Sequence, residues 1–349
     1  MIIAVSVGDL NGVGIEIALR AHDKIKELCH PIYIINHDML KQASKLLDID
    51  IPDDFNIIDV GESFDILPSH ATRESGKYSF DSFIKAIKLA EQKEVDAIVT
   101  LPINKEAWSK TGLSFKGHTD LLADYFNKEA IMMIGCQKLF TSFYTHHIPL
   151  KDVPKKIKKE PLKKFLIDFY HEVKEEKIGV LALNPHAGDG GVIGDEESII
   201  TQAVNEANEN LMEQIFVGPL VPDTAFTPHM REHIRYFVCM YHDQGLIAVK
   251  SLYFDESINV SLNLPIIRTS VDHGTAYDIA YKGKNPSITS YINAVKEAVR
   301  LAEKRRKYII YTHLSLFFLL LCPLLVLLPV PALFLRFSLG KLIFPLSQT

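Results

Sequence analysis

The sequence predicts an α/β protein with a mostly parallel sheet covered by helices on both faces. Apolar runs of strand character alternate with stretches whose apolar residues recur at helical spacing, and crossover helices between such strands make a parallel sheet. Several of the apolar runs deliver a polar or glycine-rich cluster at their C-terminal ends, where open α/β sheets place their ligand sites. The 349 residues are enough for two ordinary domains and a large core.

IIAVSV opens the chain as a buried strand and runs into GDLNGVG and the helix-like IEIALRAH. A glycine-bearing strand-to-helix turn presents backbone N–H groups to an anion, or serves simply as a tight turn needing positive φ. Gly12 and Gly14 lack the third glycine of the GxGxxG dinucleotide fingerprint. PIYIINH, FNIIDV and VDAIVTLPIN follow as strands, with DMLKQASKLL and SGKYSFDSFIKAIKLAEQKE as helices between them. KGHTDLLADYF puts His118 and Thr119 at a helix start, where they suit a phosphate or carboxylate, or where Thr119 merely caps the helix. AIMMIG, LFTSFYTHHIPL, KIGVLALNPHAGDGG and IFVGPLVPDTAF continue the pattern.

The segment VCMYHDQGLIAVK carries an apolar strand into His242, Asp243 and Gln244, with Gly245 expected to turn the chain before Lys250. NVSLNLPIIRTSVDHGTAYDIAYKGKNP sets Asn259, Arg268, Asp272, His273 and Gly274 between apolar runs. SITSYINAVKEAVRLAEKRR closes the body as an amphipathic helix whose basic end suits the helix dipole.

Charged residues make up 23% of the chain and the net charge is −5, which argues against a nucleic-acid partner. The basic run KKIKK lies among acidic residues and reads as a solvated helix face. The four cysteines, Cys29, Cys136, Cys239 and Cys322, show no paired spacing, and three sit in or beside apolar runs as reduced thiols do. The chain begins directly on a strand-like run with no basic region or cleavage site, so no secretory signal and a cytoplasmic location are expected.

His147 (after His146), His186 and His242 each close an apolar run, so a common sheet edge can gather them. Three imidazoles make a competent divalent-metal set with open positions for substrate, although a lone histidine is usually structural and no compact HxxxH links these.

GDLNGVGIEI, GHTDLLA, THHIPL, NPHAGDGGVIGDEE, GPLVPDTAF, YHDQGLIAVK and LNLPIIRTSVDHGTA come in the order of the 4-hydroxythreonine-4-phosphate dehydrogenase family of the vitamin B6 pathway, which this chain resembles over about residues 1–305. The resemblance implies two α/β/α domains with a cleft between them, like isocitrate and isopropylmalate dehydrogenases. Residues 1–115 and 285–306 would form a discontinuous first domain and 116–284 the second. It implies NAD-dependent oxidation of a secondary alcohol in a phosphorylated amino acid, followed by loss of carbon dioxide; a relative acting on another four-carbon substrate such as threonate phosphate is the nearest alternative.

Carried over residue by residue, the resemblance puts a zinc, magnesium or cobalt ion on His147, His186 and His242. His147 is preferred to His146 because it directly precedes Ile-Pro-Leu. Substrate contacts fall on His118, Thr119, Lys250, Asn259 and Arg268, and a homodimer with an interface active site is implied. HGTAYDIAYKGKNP resembles the adenosine-binding loop of the superfamily, so His273, Gly274, Thr275, Ala276 and Asp278 are expected at the cofactor. A carboxylate at Asp278 would accept from the ribose hydroxyls of NAD and repel the extra phosphate of NADP, with Lys282 and Lys284 softening the preference. The general base is left open between Asp243 and Lys250, which are candidates by position only.

The resemblance stops near Arg306, and residues 307–349 form a hydrophobic tail outside the family pattern. Leu314 to Leu335 reads LSLFFLLLCPLLVLLPVPALFL, about the length needed to span a bilayer, behind a basic RRK flank. Pro323, Pro329 and Pro331 make a poor helix. A segment foreign to the fold, a membrane anchor and an oligomer or core contact are the three accounts. With an anchor, a membrane-tethered, non-catalytic metal-binding protein is the alternative class of function, against which stands the retention of every matched site residue.

Overall fold

The computed structural model describes residues 1–321, of which 308–321 are described as backbone only. Met1–Glu303 is one compact unit, and from Lys304 the described chain is the continuation of a helix to Leu321. The strands of the compact unit are β1 (Ile2–Ser6), β2 (His30–Ile34), β3 (Ile57–Ile58), β4 (Ala97–Thr100), β5 (Ile131–Cys136) and β6 (Leu139–Phe143), then β7 (Ile178–Leu181), β8 (Phe216–Leu220), β9 (Tyr236–Cys239), β10 (Ile258–Leu262) and β11 (Arg268–Val271). They form one sheet in the order β3-β2-β1-β4-β11-β10-β5-β6-β9-β7-β8.

Parallel pairing runs from β3 to β11 and again from β6 to β8, and the antiparallel strands β10 and β5 join the two halves. The apolar runs become central strands because helices cover both faces: every residue of β4, β5 and β6 is buried. Helix starts follow their capping residues, with Asn36, Thr72 and Asn104 each accepting from a first-turn N–H.

The inverted direction of the second half decides where side chains meet. Arg268 at the start of β11 is level with Ser261 of β10, Ser261 with Met132 of β5, and the neighbouring Met133 with Ser142 of β6. Phe143 is in turn level with Cys239 at the end of β9. The start of β11 and the C-terminal ends of β6 and β9 therefore share one sheet edge. β7 runs parallel to β9 and ends toward that edge as well.

Four local expectations are corrected. FNIIDV contributes only Ile57–Ile58 to the sheet. Thr119 does not cap its helix: Gly117 is the cap residue of His118–Phe126, and Thr119 lies inside the first turn. The closing helix, Thr289–Leu321, continues through the basic run that was expected to end it. Gly245 does not turn the chain but is a buried residue of the His242–Tyr253 helix. Among the described residues no helix is long and apolar enough to cross a membrane; the expected span from Leu314 to Leu335 lies largely outside the described residues.

Gly245 is required by close packing rather than by a turn. A Cβ there would stand 2.7 Å from Cys239 Sγ and 2.9 Å from side-chain atoms of Phe143 and Thr141. Gly245→Ala gains helix propensity of about 1 kcal/mol but overpacks a closed contact at a cost of about 1–3 kcal/mol. The variant should show a lower urea midpoint with an unchanged slope; a raised midpoint would show that the contact relaxes freely.

Candidate active site

Arg268 is the most consequential buried side chain: its backbone starts β11, and its guanidinium runs along the sheet to Thr100 and Asn259, which are level with Ser270. Arg268 is 3% exposed. Its Nε and Nη2 donate to Thr100 Oγ1 at 3.1 and 2.7 Å, and Nη1 donates to Ser261 Oγ at 3.0 Å and Asn259 Oδ1 at 3.5 Å. All these acceptors are neutral, and among the described residues no carboxylate pairs with it. Burial pulls the guanidinium down to about 9, so it is still charged at neutral pH.

His118 and Thr119 extend the cluster. Thr119 Oγ1 lies 3.1 Å from Ser261 Oγ. The His118 ring packs edge-on against Phe83 and Trp108, with centroids 4.6 and 5.7 Å away, and its buried Nε2 has no partner. Burial first, then the Arg268 charge, holds its pKa well below the ordinary 6.5. The His118–Phe126 helix begins here with no side-chain cap, so its first-turn N–H groups add to the local preference for negative charge.

Two of the three predicted metal histidines meet. The rings of His147 and His242 have centroids 5.5 Å apart, with His146 5.1 Å from His147. His242 Nδ1 is 2.7 Å from Asp243 Oδ1. A carboxylate acceptor fixes the proton on Nδ1 and leaves Nε2 with a free lone pair. Desolvation, then the nearby His242, lowers the His147 pKa, which favours the neutral, ligating form.

His186 follows β7 in a turn where His186, Ala187, Gly188, Asp189 and Gly190 all have positive φ. His147 is also left-handed, at φ 54°. Non-glycine residues hold such a backbone only where the surroundings impose it. At the His186 turn, Glu197 Oε1 accepts from the N–H groups of Leu183 and Asn184 at 3.0 and 2.7 Å. The structure does not draw His186 into a compact set with the other two: the trio of metal-capable side chains with ligand atoms within 4.8 Å, among the described residues, is His229, Glu232 and His233.

Lys250 has a carboxylate partner, unlike Arg268. Its Nζ donates to Asp272 Oδ2 at 2.5 Å and to the Asp272 carbonyl at 3.0 Å, with Ser257 Oγ at 3.3 Å. Asp272 and Ser257 stand at the end of β11 and the start of β10, two residues along from Ser270 and Asn259, the level that the Arg268 guanidinium reaches through Thr100 and Asn259. Asp243 points largely to solvent, with its side chain 71% exposed.

The GDLNGVG turn is not open to an anion. The N–H groups of Asn11, Gly12 and Val13 are bonded to Asp9 Oδ1, the Asp9 carbonyl and the Thr275 carbonyl at 2.9, 3.0 and 3.0 Å. It seats the predicted cofactor loop instead. A Cβ on Gly12 would stand 2.8 Å from Thr275, which only glycine avoids. Tyr277 Oη donates to Asp9 Oδ2 at 2.9 Å and Tyr281 Oη to the Leu10 carbonyl at 2.6 Å. Burial raises the Asp9 pKa against these hydrogen bonds. Beside the loop is a cavity of about 180 Å³ lined by Val13, Phe254, Asp272, His273, Ala276 and Ile279, among others. Gly274 and Asp278 are exposed, and Lys282 Nζ donates to the Asp278 carbonyl at 3.0 Å.

Sequence reasoning missed Thr100, Ser261 and the Phe83–Trp108 wall. Thr100 ends the VDAIVT run and Ser261 lies in β10, and both were read only as strand residues.

A buried cation, a helix N-terminus beside it and a loop-built cavity are features of an α/β enzyme. The chain belongs to the family described as pyridoxal phosphate biosynthetic protein PdxA, whose family model matches residues 27–298. It is 59% identical over 302 residues to the 4-hydroxythreonine-4-phosphate dehydrogenase of Sulfurimonas denitrificans, covering 86% of this chain and 98% of that protein. It is 55% identical to the Campylobacter fetus protein of the same name, with the same two coverages of 86% and 98%. A crystal structure of a 4-hydroxythreonine-4-phosphate dehydrogenase from Burkholderia phymatum matches with TM-score 0.73 and 31% identity, over 86% of this chain and 98% of that one. These relatives are oxidoreductases by name, and the α/β fold expected from the sequence agrees with theirs.

His118 makes the site sensitive to acid. The folded pKa lies below the unfolded value, so the unfolded chain binds a proton that the folded chain refuses. Its contribution is fully present above the ordinary 6.5 and is lost as pH falls from there towards the folded value. The urea midpoint should fall between about pH 7 and pH 5.5, and His118→Gln should flatten that slope. A slope unchanged by the substitution would contradict the assignment.

Proposed function

We propose that this chain oxidises the secondary alcohol of 4-phosphohydroxy-L-threonine with NAD, in the cytoplasm, on the route to pyridoxal 5'-phosphate. The product is a 2-amino-3-oxo acid phosphate, which loses carbon dioxide to give 3-amino-1-hydroxyacetone 1-phosphate. The observation that carries the reading is the buried Arg268 guanidinium with neutral partners only. A charge so enclosed calls for an anion, and guanidinium matches phosphate or carboxylate with two parallel hydrogen bonds. Arg268, Asn259, Thr119 and the His118 helix N-terminus grip one anionic end of the substrate. Lys250, held by Asp272 beside the cofactor loop, serves the other.

Bound NAD supplies the hydride acceptor, and a bound divalent metal supplies Lewis acidity toward the alcohol and then the ketone. His147 and His242 suit that metal: both rings are adjacent, one is oriented by Asp243, and the other is biased toward the neutral form. Imidazole ligands favour zinc or cobalt over magnesium. His186, on the same side of the sheet, is the third ligand of the reading, and a homodimer completes the set. Val192, Ile247 and Phe254 are 84, 68 and 65% exposed, an apolar display that a second copy would cover. The hydroxyl proton passes to Asp243, or to Lys250 once Lys250 has given a proton of its own to Asp272, as the C–H hydride leaves. On decarboxylation the C–C electron pair moves into the ketone, and the resulting carbanionic carbon is reprotonated.

Within the chain, residues 1–115 with 285–306 and residues 116–284 are the two domains of this reading. Asp278 at the loop favours NAD over NADP, moderated by Lys282. Three buried free thiols, Cys29, Cys136 and Cys239, are in keeping with a reducing compartment.

A substrate panel read by NADH absorbance tests the proposal, with full-length protein before and after chelation. Turnover of 4-phosphohydroxythreonine, lost on chelation and restored by zinc or cobalt, is expected. His186→Ala should abolish most of that restoration. Turnover of threonate 4-phosphate alone would replace the substrate, and undiminished activity after chelation would remove the metal from the account.

A further inference from the structure

His229, Glu232 and His233 lie outside everything described above. They stand on the short helix Pro228–His233, in the sequence PHMREH. The spacing puts all three side chains on one face, because residues three and four apart on a helix are neighbours. All three are exposed, the two imidazole rings are 5.0 Å apart between centroids, and one ligand atom from each lies within 4.8 Å of the others.

The helix is held firmly from its other side. Ile234, just after it, is buried, and Met230 packs on the core formed with Phe226 and Phe237. Arg231 Nε donates to the Phe226 carbonyl at 2.9 Å, and its Nη1 to Tyr253 Oη at 2.6 Å. Pro228 occupies the first turn, where its fixed φ suits a helix start. The backbone carrying the three donors is therefore set before any ligand arrives, which reduces the ordering cost of binding.

We propose that His229, Glu232 and His233 form a surface binding site for a divalent transition-metal ion of the zinc class. Two imidazole nitrogens and one carboxylate oxygen are the donor set such ions take, and three protein ligands leave a coordination position open to water or an anion. Glu232 and His233 also line a groove of about 500 Å³, together with Lys138, Arg231 and Arg235. Lys138 and Arg235 are paired with Glu256 and Glu175, whereas Arg231 bonds only neutral oxygens. An anionic group on the metal would thus meet a cationic neighbour. The site shares no residue with the dehydrogenase reading and does not depend on it.

The test is titration of full-length protein with zinc against a chromophoric chelator, and with cobalt followed by its visible absorption. Wild type is compared with His229→Ala/His233→Ala and with Glu232→Gln, each also in a His186→Ala background. The three positions are exposed, so the variants should keep the fold, and far-UV circular dichroism checks it. Wild type should bind one ion per chain more than the double-histidine variant, in both backgrounds, and Glu232→Gln should weaken that ion by about tenfold or more. NADH production by the double variant should match wild type. If His186→Ala alone removes an ion, the dehydrogenase metal is lost and the surface ion remains. Equal stoichiometry and equal cobalt spectra in wild type and the double-histidine variant, in both backgrounds, would overturn the proposal.

Discussion

An enclosed guanidinium without a counter-ion is the constraint on which the site depends. Taking such a charge out of water costs several kcal/mol after relaxation, and three neutral acceptors from Thr100, Ser261 and Asn259 offset only part of that cost. The remainder is available to a ligand anion. The same enclosure drives His118 toward its neutral form, since burial and the adjacent cation act in the same direction. Burial thus sets the protonation state of His118, and the Arg268 charge that prefers an anion reinforces it.

The sheet topology makes this arrangement possible. In a fully parallel sheet Arg268, at the start of β11, would sit at the edge opposite the strand ends that lead to His147 and His242. Antiparallel β10 and β5 reverse the second half, so the start of β11 and the ends of β6 and β9 share an edge. The opposite edge carries Asp272, Lys250 and the loop docked on the GDLNGVG turn. The Arg268 guanidinium reaches along the sheet towards that opposite edge, to Thr100 and Asn259 level with Ser270. The crystallised Burkholderia phymatum relative shares this architecture at TM-score 0.73.

Much of this was legible in the sequence because buried strands announce themselves. Runs such as VDAIVT and LFTSF are mostly apolar, and they became β4 and β6. What was hidden depended on partners distant in sequence. Gly245 reads as a turn residue in isolation, and only the closeness of Cys239, Phe143 and Thr141 explains it inside a helix. GDLNGVG reads as an anion turn until Thr275 and Tyr277 fill it. Thr100 and Ser261 look like ordinary strand residues, because their role exists only through Arg268. The last helix passes its basic run because lysine and arginine are good helix formers, and no glycine or proline intervenes before Pro323. His186 was placed toward the expected edge, but its left-handed turn had no signature beyond its glycines.

The central claim is that Arg268 waits for an anion, and its most direct measurement is the stability of wild type and Arg268→Met with increasing inorganic phosphate at constant ionic strength. Removing an uncompensated buried charge should leave the variant at least as stable as wild type without phosphate. Phosphate should then raise the urea midpoint of wild type progressively, as a ligand bound only to the folded state does, and leave Arg268→Met unmoved. A variant far less stable than wild type in the absence of anion, or equal protection of both proteins by phosphate, would contradict the account.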